Sequence, residues 1–256
     1  MTSRELPFDN LYNTRDLGGM KTADGRRIRS GRLFRSGNLS HGTPKDIAWL
    51  KDNTSLVIDF RTSDERSEKP DPRELELVYL PILDEEKAGI TRGGKSESEA
   101  LQFLREHPAA ARDHMTRMYR DFILTEYPLL RYRRFLEILL EDHERAVLWH
   151  CTAGKDRAGF AAIIIQEALG VDRADIREDY LKTNVCLRPE TERMILHAKD
   201  EDEKEGIGYM FGAKEEYFDA LYEVIEEHYG DADSFLAQGL GLTNKERERL
   251  KEMYLE

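Results

Sequence analysis

An apolar, strand-like run, Ala146-Val147-Leu148-Trp149-His150, meets an apolar, helix-like run, Gly159-Phe160-Ala161-Ala162-Ile163-Ile164-Ile165, across the polar segment Cys151-Thr152-Ala153-Gly154-Lys155-Asp156-Arg157. Two buried runs flanking so polar a segment commit the centre of the chain to a strand, a turn and a core helix. Such a turn points backbone N–H groups inward and has the positive end of a helix dipole behind it, which suits a bound phosphate. The same field favours the thiolate of Cys151 and makes it a nucleophile near neutral pH. Arg157, with five residues between it and the thiol, can grip two phosphate oxygens and stabilise charge on a transferring phosphoryl group.

Blander readings fit less well. A lone cysteine after a strand is usually a small buried hydrophobe, yet structure alone does not call for Gly154, Lys155, Asp156 and Arg157 directly behind it, where a simple cap would do. A nucleotide P-loop needs Gly where Trp149 stands and Ser or Thr where Asp156 stands. A sulfurtransferase loop also pairs Cys with Arg, over a ring one residue shorter.

His150-Cys151-Thr152-Ala153-Gly154-Lys155-Asp156-Arg157-Ala158-Gly159 resembles the active-site loop of the cysteine-dependent protein tyrosine phosphatases, and its Lys-Asp-Arg centre that of the bacterial atypical tyrosine/lipid phosphatases. Asn13 to Gly19, Leu33-Phe34-Arg35-Ser36, Val57 to Arg61, Asp179 to Asn184 and the tail from Tyr229-Gly230 to Leu242 agree, in the expected order. One position departs: Ala158 stands where the family has Thr or Ser, whose hydroxyl can donate to the cysteine sulfur. The resemblance implies hydrolysis of phosphotyrosine, with phosphoserine/threonine and phosphoinositides as further substrates. It also implies a cysteinyl-phosphate intermediate and no metal or other cofactor. The alternative is a phospho-ligand binding module with weak turnover, which only Ala158 favours.

Composition bounds the rest. The 256 residues read as a single domain, with 39% hydrophobic residues for one core and 35% charged residues for its surface. A formal charge of −12 argues against nucleic acid and anionic membranes as partners, so cations gathered in one loop are the more telling. The two cysteines, Cys151 and Cys186, form no CxxC and fit a reducing compartment. The longest apolar run, Phe160 to Ile165, is too short for an integral membrane segment. The expected location is cytoplasmic, with export lacking a recognisable signal left open, and oligomeric state is not legible.

Along the chain, residues 18–36 read as β-structure turning at Asp24-Gly25, and Thr43-Pro44 opens a helix to about Leu50. Strands are expected at 55–60 and 76–83, a charged loop at 84–98, and helix over 97–125 broken at Pro108. Helices follow at 128–142, up to Leu169 with Gly170 as its stop, at 175–183, at 189–205, at 214–229 and after the capping box Thr243-Asn244-Lys245-Glu246. The fold class is α/β: a largely parallel sheet with helices on both faces, resembling the protein tyrosine phosphatases, with a small N-terminal β element. Residues 175–212 are a candidate lid over the pocket, or an ordinary pair of surface helices.

Candidate roles follow. Thr152, Ala153, Gly154, Lys155 and Ala158 are assigned to substrate binding; in relatives the lysine goes with acceptance of phosphoinositides. Proton transfer has two candidates, Asp59 at the end of its strand and Asp156 in the loop, which is preferred. Lys155 and Arg157 on either side of Asp156 favour its ionised form, which suits a base better than an acid. The modest alternatives are that Asp59 orients Arg61 and that Asp156 braces Lys155 or Arg15. His150 is expected to shape the loop rather than bind metal, and Gly154 and Gly159 to allow close backbone approach. Arg15, Asp16 and Arg35 are loop supports or surface charges. Thr62-Ser63-Asp64-Glu65 reads first as a capping box, and Cys186 as inert.

Overall fold

The computed structural model describes residues 4–6, 8–83 and 97–256; most of the charged loop expected at 84–98 lies outside them. The sheet is ordered β1-β2-β3-β6-β4-β5. Strands β1 (Arg4–Glu5), β2 (Arg15–Asp16) and β3 (Leu33–Ser36) pair antiparallel in turn. β3 then runs parallel to β6 (Ala146–His150), β6 to β4 (Thr54–Asp59), and β4 to β5 (Leu77–Tyr79). The antiparallel pair is the small N-terminal β element, and the parallel strands are the body of the fold.

The central strands β3, β6 and β4 are largely buried on both faces because their alternate residues feed two separate cores. Leu33, Ile58, Val147 and Trp149 point into the larger one, while Phe34, Val57, Ala146 and Leu148 point into the smaller. Helix α1 (Pro44–Asn53) closes the smaller core with Leu50, Ile47 and Trp49. The larger core takes helices α4 (Pro108–Leu124), α5 (Glu126–Leu139), α6 (Arg157–Leu169), α10 (Glu215–Tyr229) and α12 (Asn244–Tyr254). Some have a local reason for their ends. Thr43 caps α1 with a full capping box, Thr243 does so for α12, and Gly170 stops α6 at φ +81°. Two short helices, α2 (Ser63–Glu68) and α3 (Glu97–Glu106), flank β5, and α3 breaks from α4 before Pro108 as expected.

Two expectations change in detail. Over 18–36 the Asp24-Gly25 turn closes a Lys21–Arg27 bridge, and Arg27 and Ile28 pair on their other side with the chain's last residues, Leu255 and Glu256. The polar helix expected at 189–205 is two helices, α8 (Arg188–Leu196) and α9 (Glu201–Phe211), since Asp200 accepts from the Glu203 N–H and starts a new turn. With α7 (Arg173–Cys186) they make up the candidate lid region, but it is not uniformly loose. α7 buries Ile176, Asp179, Tyr180 and Thr183, and α9 buries Glu203, Gly206 and Ile207. Only α8 has no buried residue. A three-residue helix, α11 (Ala232–Ser234), and a π-turn at Phe235–Gly239 lead to α12. No described helix is long and apolar enough to cross a membrane.

Candidate active site

The segment between β6 and α6 sits at the carboxyl edge of the sheet, between the ends of β3 and β4. Its shape follows from where its carbonyls go. The Asn38 N–H donates to Thr152 O at 2.9 Å, the Asn13 side-chain amide to Ala153 O at 2.9 Å, and the Arg35 guanidinium to Gly154 O at 2.6 Å. Three consecutive carbonyls are thus held from outside the loop. A peptide unit is planar and trans, so the N–H groups of Ala153, Gly154 and Lys155 face the other way, into the loop's concavity. Gly154 is at φ +70°, and a Cβ there would stand 2.5 Å from Ser36 O. Its glycine is required on both counts. A Cβ on Gly159 would stand 3.1 Å from the Arg35 guanidinium, so this glycine lets α6 close over the arginine.

Beneath the loop lies a buried charge network. Asp179 of α7 accepts from Arg15 at 2.9 Å and from Arg35 at 3.2 Å, all three side chains being essentially inaccessible. Arg15 also donates to the Asn13 side-chain oxygen, Asp179 O and Thr183 Oγ1. Asn13 itself sits at φ 55°, a left-handed conformation that asparagine tolerates better than most. Two guanidiniums share one carboxylate, so the ground under the loop is net positive. Burial, then the neighbouring charge of Arg15, lower the Arg35 pKa to about 10 despite the opposing Asp179 and Cys151. Arg15 and Arg35 are therefore loop supports and not surface charges. Asp16 serves elsewhere, accepting from the N–H groups of Gly18 and Gly31 in the adjoining turn.

Cys151 is buried at the loop's entrance, with 2% of its surface exposed. Arg157, the first residue of α6, donates from both terminal nitrogens to Glu65 of α2, at 2.6 and 2.8 Å. The Thr152 hydroxyl donates to the same carboxylate. The bonds to Glu65 use the terminal nitrogens of Arg157 and not Nε. Burial pushes the Glu65 carboxyl up, but the hydrogen bonds and charge of Arg157 outweigh it and hold the group well below the usual carboxylate range. Burial likewise opposes the Arg157 charge, and Glu65 more than restores it.

The two charged residues between Gly154 and Arg157 turn inward. Lys155, 1% exposed, donates from Nζ to Met210 O at 2.6 Å and Gly212 O at 3.2 Å, carbonyls at the C-terminal end of α9. A helix C-terminus favours a cation, and burial lowers the Lys155 pKa against the raising effect of Asp156. The lysine therefore binds the loop to α9, and its ammonium is not presented to the concavity as the charge pattern had led one to expect. Asp156 occupies the N-cap position of α6 but makes no capping hydrogen bond. Its Oδ1 accepts from the Tyr119 hydroxyl at 2.6 Å and lies 3.4 Å from Lys155 Nζ.

Asp59 is placed differently. Both its oxygens accept from Arg61, at 2.9 Å each, and Oδ1 also takes the Arg61 N–H. Arg61 reaches on to Asp71 at 2.7 Å, and His150 Nε2 stands 3.3 Å from the same carboxylate. The Nδ1 of His150 is 3.3 Å from Cys151 O, so this cluster backs the start of the loop. Among the described residues, Asp59, Asp71 and His150 are the group whose donor atoms gather closely enough for a metal, within 4.8 Å of one another. Arg61 already fills both oxygens of Asp59 and one of Asp71, so the site carries its own cation. Ala158 is fully buried in the core that also contains Cys151. Cys186, at the end of α7, is half-buried and forms no disulfide.

Sequence reasoning gives no role to Asn38 or Tyr119, and none individually to Asn13 or Tyr180, although those two stand in segments that resemble the family. Glu65 reads as part of a capping box first and a functional site only second, and it does cap: Oε2 accepts the Thr62 N–H at 2.9 Å.

Comparison with known proteins agrees with this geometry. The model of the tyrosine phosphatase family matches residues 6–256. A candidate tyrosine-protein phosphatase of Cupriavidus necator is 31% identical over 92% of this chain and 84% of its own length. The triple specificity protein phosphatase PtpB of Mycobacterium tuberculosis is 30% identical over 92% of this chain and 93% of its own. A tyrosine-protein phosphatase of Nostoc commune is 24% identical over 96% and 74%. A match of that extent, on a parallel sheet with this loop at its carboxyl edge, shows that the chain belongs to the tyrosine phosphatase family and is a phosphatase.

Proposed function

We propose that the chain, read as one domain over residues 1–256, hydrolyses phosphotyrosine by two in-line displacements at phosphorus. In the first, the Cys151 sulfur forms a bond to phosphorus as the bond to the tyrosyl oxygen breaks, and Asp156 gives that oxygen its proton. In the second, Asp156 takes a proton from water, the water oxygen bonds to phosphorus, and the thiolate leaves. The inward N–H groups and the Nε edge of Arg157 hold the phosphoryl oxygens throughout. The observation that carries this reading is the set of three outward-held carbonyls between a buried cysteine and a braced arginine.

Asp156 is preferred to Asp59 because Asp59 has both oxygens committed to Arg61, whereas Asp156 is held through one oxygen. The name of the Mycobacterium tuberculosis relative supports breadth beyond phosphotyrosine, so phosphoserine/threonine and phosphoinositides belong in the substrate panel. Lys155 argues for phosphotyrosine first, since its ammonium is engaged by Met210 and Gly212.

The test is phosphate release from p-nitrophenyl phosphate in the presence of a chelator, followed by phosphopeptides and phosphoinositides. Undiminished activity with EDTA is expected; restoration of a lost activity by zinc or magnesium would overturn the metal-free mechanism. The two aspartates separate by leaving group. Asp156→Asn should cost about 10²-fold or more on phosphotyrosine, whose leaving oxygen needs a proton, and much less on p-nitrophenyl phosphate. Asp59→Asn should reduce both alike through the loop. A larger differential for Asp59→Asn would reverse the assignment.

A further inference from the structure

Tyr119 of α4 is fully buried, and its hydroxyl donates to Asp156 Oδ1 at 2.6 Å. That hydroxyl in turn accepts from Tyr180 of α7 at 2.9 Å. The direction of the chain is fixed from its end: Oδ1 accepts whether Asp156 is ionised or carries its proton on Oδ2, so Tyr119 donates to it and takes its own bond from Tyr180. Burial, and next the charge of Asp156, hold the Tyr119 phenol well above its ordinary range, so it stays a neutral donor.

Packing does not account for the hydroxyl. The Tyr119 ring meets Phe122 at 5.7 Å, Tyr217 at 5.3 Å and Tyr180 at 6.2 Å between centroids. A phenylalanine would keep all three contacts and spare the cost of a buried polar group. What the oxygen adds is its hold on Asp156, a loop residue that leaves its N-cap function unused. Both groups on Asp156, the Tyr119 hydroxyl and the Lys155 ammonium, meet the same Oδ1. Oδ2 is thereby the oxygen turned to exchange a proton. A hydrogen bond to a carboxylate is stronger than one to a carboxylic acid, so the bond from Tyr119 strengthens as the proton passes from Asp156 to the leaving group.

We infer that Tyr119 is a positioning residue for proton transfer, acting through Asp156, with Tyr180 as its support; this rests on the reading of Asp156 as the acid. Losing one hydrogen bond to a charged group corresponds to about one to two decades in rate. Tyr119→Phe should therefore lower kcat on phosphotyrosine by about tenfold or more. Its loss on p-nitrophenyl phosphate should be several-fold smaller, and Tyr180→Phe should show a weaker differential of the same sign. In an Asp156→Asn background, Tyr119→Phe should add no further differential.

The outcomes separate. A leaving-group differential in Asp156→Asn with equal losses on both substrates, or none, in Tyr119→Phe would overturn the inference and leave the acid assignment standing. No differential in Asp156→Asn would overturn the acid assignment and the inference with it. Circular dichroism and thermal melting check the fold; if Tyr119→Phe does not fold, Tyr180→Phe decides, and the absence of a differential there overturns the inference.

Discussion

Cys151→Ser is expected to lower turnover by at least about 10⁴-fold, the scale on which deletion of a covalent nucleophile acts, while phosphate-ligand binding survives. The two halves of that forecast have separate causes. A serine hydroxyl is not ionised at neutral pH and is a far weaker nucleophile than a thiolate, so the first displacement fails. The anion cradle does not involve the side chain: it is made by N–H groups whose peptide units are fixed from outside by Asn38, Asn13 and Arg35. In the proposed mechanism the sulfur is negative beside a dianion, and its removal favours the bound anion. Calorimetry with orthophosphate should give a Kd equal to or tighter than the parent's, and stopped-flow traces with p-nitrophenyl phosphate should show no burst. Activity within tenfold of the parent would end the covalent mechanism, and loss of phosphate binding would mean that the cradle depends on the thiol.

The parts of this site that were legible in the sequence are those written locally. Cys151, Gly154 and Arg157 declare themselves because strand, turn and helix are contiguous, and the burial of β4 and β6 on both faces follows from their apolar runs. What was illegible depends on partners far along the chain. Lys155 read as a cation for substrate, since nothing near it in sequence foretells the α9 carbonyls at Met210 and Gly212 that take its charge. Arg15 and Arg35 read as surface charges first, and as loop supports only second, until Asp179 is brought beneath them by the packing of α7. Glu65 is the instructive case. Its spacing from Thr62 fits a helix cap, the cap is formed, and the local explanation was sufficient. Only the fold brings Arg157 to the same carboxylate, so a residue with one complete job was carrying a second.

That second job makes Arg157 the other large effect. Arg157→Lys should reduce kcat/KM by about 10³-fold, comparable to losing a principal transition-state donor, although the charge is conserved. Its terminal nitrogens are held on Glu65, and in the proposed mechanism the Nε edge serves the phosphoryl group at the same time. An ammonium is a single point with no second edge, so it must leave either the brace or the substrate. Glu65→Gln tests the brace itself. Replacing the carboxylate removes a charge-assisted pair and frees the arginine to wander, and the expected loss is about ten- to a hundredfold on every substrate, without the leaving-group differential of Asp156→Asn. A gain in activity would instead identify Glu65 as a competitor for the phosphate's place. The pH dependence follows from the sign of the shift. The folded Glu65 pKa lies below its unfolded value of about 4.3. The ion pair therefore contributes its stability in full above that unfolded value and loses it as pH falls through the folded one. Between pH 5 and 8 the brace does not titrate, so an acidic limb of the rate profile in that window must belong to another group, and it should persist unchanged in Glu65→Gln.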